Sequence, residues 1–217
     1  MKKRSDILNT EVSNLEKLND SIIQVGNRVY TSFYGIFVFD IFITAILNRT
    51  ININRGFISE IKSNNFICAA PLVRIQLDSL LRLYASLLIN YNIDEFAMKI
   101  LKGASVRDLV DSKGKKMNDR YLVDSMCKIE KFSWVKTIYE ASNGFIHLSD
   151  KHIFTSSKIK KNNRILQSII KKNDDFVPLE EKIGAIKYQF EITKAIIDLV
   201  ESWSQRKASY NDKLNKA

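Results

Sequence analysis

Two stretches of this 217-residue chain carry side chains that could do chemistry together. The first is PLVRIQLDSLLRLYA, where Arg74, Asp78 and Arg82 recur at steps of four. On a helix that spacing puts all three on one face, so Asp78 can pair with either arginine. Leu72, Leu77, Leu80, Leu81 and Leu83 make the other faces apolar, and a charge set among them must find a partner or water. The ladder is therefore either a structural ion-pair network or the polar wall of a pocket that positions an anion or a reacting group.

The second stretch is YEASNGFIHLSDKH, in which Tyr139, Asn143 and His147 also recur at steps of four. Both histidines of the chain, His147 and His152, fall here, with Ser142 beside them. Imidazole exchanges protons near neutral pH, so a histidine in this segment could activate a hydroxyl such as a ribose 2′-OH. The alternative is a partly buried, hydrogen-bonded histidine. His147, Asp150 and His152 offer three metal donors, but their spacing matches no standard metal site, and neither a metal nor any other cofactor is assigned.

A third stretch is basic. Lys158, Lys160, Lys161, Arg164, Lys171 and Lys172 fall between residues 158 and 172 with no acidic residue among them. On a hairpin they would form a positive finger able to lie along a phosphate backbone; the alternative is a solvated edge that lysines protect from aggregation. Phe154 is the one ring nearby, which argues against a base-stacking platform.

Composition narrows the class of protein that must hold these groups. The 34 Lys and Arg against 24 Asp and Glu give a net charge of +10, which favours polyanions or acidic partners. No Gly-rich phosphate loop, GxSxG elbow or paired CxxC is present, against P-loop hydrolysis, the common α/β hydrolases and zinc ribbons. Cys68 and Cys127 form neither a metal spacing nor a disulfide framework, and read as apolar filler in a reducing compartment. The apolar run from Phe33 to Leu47 is shorter than the ~20 residues of a bilayer span and carries Asp40 near its middle. It reads as a buried core helix, and a cytoplasmic location is expected.

With 7 Gly and 2 Pro the chain is poor in turn formers, and its hydrophobic spacing is helical. An amphipathic helix from Leu8 to Val29 precedes a central one from Thr31 to Asn48. A break is expected at Asn52–Gly56, then a short helix at Phe57–Lys62. A long helix spans Phe66–Asn90, kinked at Pro71 or starting there. Shorter helices follow at Ile93–Leu101 and Val106–Asp111, then a basic exposed loop to Asp119, where another helix begins. A further helix is expected from Phe132 to His147. Ile, Thr and Ser enrichment in 152–159 and 164–170 predicts a β-hairpin, although 164–170 also fits a helix. Pro178 opens the final long helix. The fold class is all-α, a multi-helix bundle with one small hairpin between the last two long helices. Residues 1–206 form a single domain, with the hairpin within 152–170, and 207–217 a polar C-terminal tail.

The two motif-bearing stretches, followed by a short β-like excursion and a Pro-initiated helix with Trp203 near its end, resemble bacterial helical proteins grouped only as domains of unknown function and, more distantly, the HEPN superfamily, over residues 66–205. The resemblance implies a helical bundle, often dimeric, and metal-independent endoribonuclease activity of the kind found in phage defence and toxin–antitoxin systems. His147 matches the family's motif histidine and Asn143 its polar residue. At the positions where the family has its arginine, this chain has Glu140, Ala141 or Ser142, and Arg74 or Arg82 would have to supply it from a facing helix. The leading expectation is an RNA-acting protein with His147 as acid or base, Arg74 or Arg82 stabilising phosphorane charge, and the basic hairpin holding RNA. The alternative is a non-catalytic interaction module, an antitoxin or a defence-complex subunit with a basic surface, and a small-ligand-binding helical protein comes third. RNA, a protein partner or a second copy of the chain are the partners considered.

Overall fold

The computed structural model describes residues 2–159 and 166–214. Eight helices occur among them: α1 Lys2–Thr31, α2 Val38–Lys62, α3 Phe66–Ala85, α4 Ile93–Leu101, α5 Asp119–Met126, α6 Val135–Asn143, α7 Asp150–Ser156 and α8 Leu179–Leu214. Strands β1 (Ser157–Ile159) and β2 (Leu166–Ser168) pair antiparallel with Ser157 opposite Ser168. The fold is an all-α bundle with one small hairpin, and no helix among the described residues is long and apolar enough to cross a membrane.

The apolar stripe of α1 (Val12, Leu15, Ile22, Val25, Val29) is buried, and α1 packs chiefly against α8. Helix α3 sits at the centre, against α2, α8 and α6, and buries Val73, Leu77, Leu80, Leu81 and Tyr84. Packing on several sides is what its nearly continuous apolar surface requires.

Helix α2 runs unbroken through the expected break at 52–56. Asn54, inside that stretch, is wholly buried, and its Oδ1 accepts from Gln189 Nε2 at 2.8 Å and Thr193 Oγ1 at 3.2 Å. A satisfied buried amide is compatible with a helix interior. The helix stops instead at Asn64, which adopts φ +57°. There Asn64 N–H donates to the Ile61 carbonyl and Asn65 N–H to the Glu60 carbonyl, the paired bonds of a left-handed helix terminator. Helix α3 begins at Phe66 and holds Pro71 in its interior, so the Ile67 carbonyl loses the N–H four residues on. The Ile67 N–H is taken by the Asp174 carboxylate at 3.0 Å, which ties the segment after the hairpin to the start of α3.

Other boundaries also move. The Asp111–Asp119 stretch is an ordered turn closed by the Asp111 carboxylate, which accepts the N–H of Lys113 and Lys115 and the hydroxyl of Tyr121. Residues 152–156, expected to be strand, belong to α7. Cys68 is exposed rather than core filler, and neither cysteine forms a disulfide. The expected tail is helical to Leu214, and Lys207 at its start is fully buried. Its ammonium meets the Asp40 carboxylate at 2.7 Å and the Val29 carbonyl at 2.6 Å, while Trp203 Nε1 donates to the same carboxylate at 2.8 Å. The aspartate inside the apolar run is thus a closed junction of α1, α2 and α8.

Candidate functional site

An open cleft of about 460 Å³ is lined by Arg49 of α2, Arg74, Ile75 and Asp78 of α3, Asp119 of α5, Tyr139 and Asn143 of α6, and Ile146 and His147 of the turn that follows. Local sequence places each wall. The step of four on α3 aims Arg74 and Asp78 the same way while Leu77 between them faces the core. Asn118 caps α5 by accepting the Tyr121 N–H at 3.0 Å, which fixes Asp119 as the first residue of that helix. The helix carrying Tyr139 and Asn143 ends at Asn143, four residues short of the expected end, and His147 reaches the cleft from the turn, exposed to solvent.

Arg74 is the most constrained cation. Its side chain is 12% exposed. It donates from Nη2 to Asp119 Oδ2 at 2.5 Å and from Nε to Asn143 Oδ1 at 3.1 Å, and its guanidinium lies 4.7 Å from the Tyr139 ring centroid. A planar donor held on two edges and stacked on a ring is pre-organised in a way no lysine reproduces. Arg82 binds the other Asp119 oxygen at 2.5 Å and Asp78 Oδ1 at 2.7 Å, and its Nη1 is buried without a hydrogen-bond partner. Of the two arginines nominated to face His147, Arg74 lines the cleft and Arg82 braces it from behind. Burial by itself would raise the Asp119 carboxyl; the hydrogen bonds and charges of Arg82 and Arg74 outweigh it and hold that group below the usual carboxylate range.

Arg49 completes the set and escaped notice in the sequence. Its Nε donates to Ser79 Oγ at 3.0 Å, its Nη2 stands 3.9 Å from Asp78 Oδ2, and the side chain is 50% exposed. Nothing local marks it, since it reaches the cleft only because α2 packs on α3. Asp119 had a visible role as a helix start, but its hold on two arginines is tertiary.

The remaining nominated residues lie elsewhere. Ser142 is buried on another side of α6, donates to the Ile138 carbonyl at 2.6 Å, and borders an apolar groove with Phe66, Ala70 and Phe145. Being one residue from Asn143 turns it about 100° around the helix, away from the cleft. His152 does local work: its Nδ1 accepts the Ser149 N–H at 3.3 Å in a capping box at the start of α7. Lys158 lines a second, neighbouring groove that shares Phe66 and Phe145, Lys171 pairs with Asp175 at 2.8 Å, and Lys172 is exposed. Lys160, Lys161 and Arg164 lie outside the described residues. Among the described residues no group of three or more His, Cys, Asp or Glu side chains is arranged to hold a metal ion.

No family model, curated protein or solved structure matches the chain. What the site can do rests on its own chemistry: an imidazole at the rim, a rigid guanidinium in the wall and a looser one opposite. Such a set recognises an anion and offers a base beside it.

Proposed function

We propose that this protein acts on RNA as a metal-independent endoribonuclease. The observation that carries the reading is the presence of Arg74, Asn143 and His147, from segments far apart in sequence, in the lining of one solvent-open cleft. His147 takes the proton from a ribose 2′-OH, the 2′ oxygen attacks the adjacent phosphorus, and the bond from phosphorus to the 5′ oxygen breaks. The products are a 2′,3′-cyclic phosphate and a 5′-hydroxyl end, the departing oxygen receiving its proton from the imidazolium. Arg74, held by Asp119, Asn143 and Tyr139, stabilises charge on the non-bridging oxygens. The net charge of +10 supplies long-range attraction for the substrate. The test is incubation of purified protein with total RNA, in magnesium and in chelator, with His147→Ala alongside. Cyclic-phosphate ends made by the wild type alone, in both buffers, are the expected result.

One observation favours a second reading, a non-catalytic interaction module. Leu148, directly after His147, is 90% exposed, and Ile146 before it is 43% exposed. Apolar side chains on both sides of the histidine suit a protein partner, or a second copy of the chain, seated over the cleft mouth. RNA left intact by the wild type in both buffers would select this reading, as an antitoxin or defence-complex subunit.

A further inference from the structure

The charges in and behind the cleft do not cancel. Asp119 is fully engaged, with one arginine at 2.5 Å on each oxygen. Asp78 gives Oδ1 to Arg82 at 2.7 Å, which leaves Oδ2 facing Arg49 at 3.9 Å, beyond hydrogen-bond reach. Three guanidiniums, Arg49, Arg74 and Arg82, thus stand against two carboxylates. Arg74 and Arg82 are committed through close bonds, and the surplus sits on Arg49, half exposed and, among the described residues, hydrogen-bonded only through Nε to Ser79. Its Nη atoms are free to turn into the cleft at little cost, because the contact they would leave is a long one in water.

We propose that Arg49 is the residue that takes the substrate phosphate, and that the cleft is matched to an internal phosphodiester rather than to a terminal phosphate. The assignment rests on the RNA reading above and adds the residue that holds the phosphate as it binds, Arg74 being left to the charge that develops during the reaction. A phosphodiester carries one negative charge, equal to the single uncompensated positive charge. A terminal phosphate carries about 1.5 to 2 at neutral pH and would leave part of its charge facing Asp78 and Asp119. The planar Nη edge of Arg49 suits two non-bridging oxygens of one phosphate. The Ser79 bond holds the guanidinium at the mouth, so the arginine positions the backbone while His147 meets the neighbouring ribose.

The test is affinity for a short 2′-O-methyl oligouridylate, which has no hydroxyl to attack, made with and without a 5′-terminal phosphate. Arg49→Gln should weaken binding about tenfold and reduce the slope of log affinity against log salt by about 0.7, one phosphate contact on a single strand. Arg49→Lys, which keeps the charge and loses the planar edge and the Ser79 bond, should restore the salt slope but only part of the affinity. The 5′-phosphate should add none. Equal affinity in Arg49→Gln, a salt slope reduced as much in Arg49→Lys as in Arg49→Gln, or a tighter complex with the terminal phosphate would overturn the assignment. Arg49-dependent binding by a wild type that leaves unmodified RNA uncut sinks the ribonuclease reading and keeps the assignment; cleavage that survives Arg49→Gln with unchanged KM does the reverse. A wild type that does not bind the oligomer overturns both.

Discussion

Arg74 and Asp119, 45 positions apart in the chain, face each other at 2.5 Å along one wall of the cleft. The same carboxylate takes Arg82 on its other oxygen, so one acidic residue at the head of a short helix sets two guanidiniums on the central helix. The cleft's electrostatics and its rigidity both depend on this junction.

Asp119→Asn should therefore cost roughly 2 kcal/mol of stability at pH 7, less than a fully buried pair because the carboxylate is part-exposed. The carboxyl's folded value lies below its ordinary 3.8. Its contribution is thus complete above about pH 4 and is lost as pH falls through the depressed folded value. Urea unfolding of wild type and variant should show a gap at pH 7 that closes towards pH 2. A gap of equal size at both would show that the ion pairs are not its source.

For the chemistry, His147→Ala should lower RNA cleavage by about 10² to 10⁴ while leaving RNA affinity near the wild-type value. Asn143→Ala, which frees Arg74 Nε, should reduce the rate through misplacement of the guanidinium rather than loss of the base. Its pH–rate profile should keep the wild-type shape. Single-turnover rates from pH 5 to 9 check both outcomes.

Tyr121 donates its hydroxyl to the Asp111 carboxylate, and that bond, followed by burial, pushes the phenol up to about 12. The protonated form is the one that binds, so its stabilisation is intact below pH 10 and is lost as pH rises through about 12. In an alkaline ultraviolet titration one tyrosine should ionise near 12, and Tyr121→Phe should remove that step. Persistence of the step in the variant would reassign it.

Lys207→Met should destabilise the fold by about 3–5 kcal/mol, because it leaves the Asp40 carboxylate buried without its counter-charge. Adding Asp40→Asn, which keeps an acceptor for Trp203, should recover part of that loss. Thermal unfolding of both variants measures the coupling, and a double variant no better than the single one would argue against it.

Elements set by local rules were legible in the sequence. The helix at Ile93–Leu101 matches its expected bounds, and the hairpin lies within 152–170. The steps of four correctly grouped Arg74 with Asp78, and Tyr139 with Asn143, because helical geometry alone decides which side chains share a face. What failed was tertiary. The polar run around Asn54 looked like a break because its partners, Gln189 and Thr193, lie more than a hundred positions away. Arg49 and Asp119 looked ordinary because their value lies in what other helices bring to them. Ser142 and His152 shared the motif's neighbourhood but point elsewhere, so proximity in sequence was weaker than helical phase.

The pairing of Asp40 with Lys207 has a bearing on how the protein is made. During synthesis the aspartate leaves the ribosome 167 positions ahead of its ammonium. At 5–20 residues per second that delay is on the order of ten seconds. For that interval the second helix carries a carboxylate whose buried counter-charge has not yet emerged. The turns of α8 around Lys207 act as a latch, and their emergence is the event that closes it.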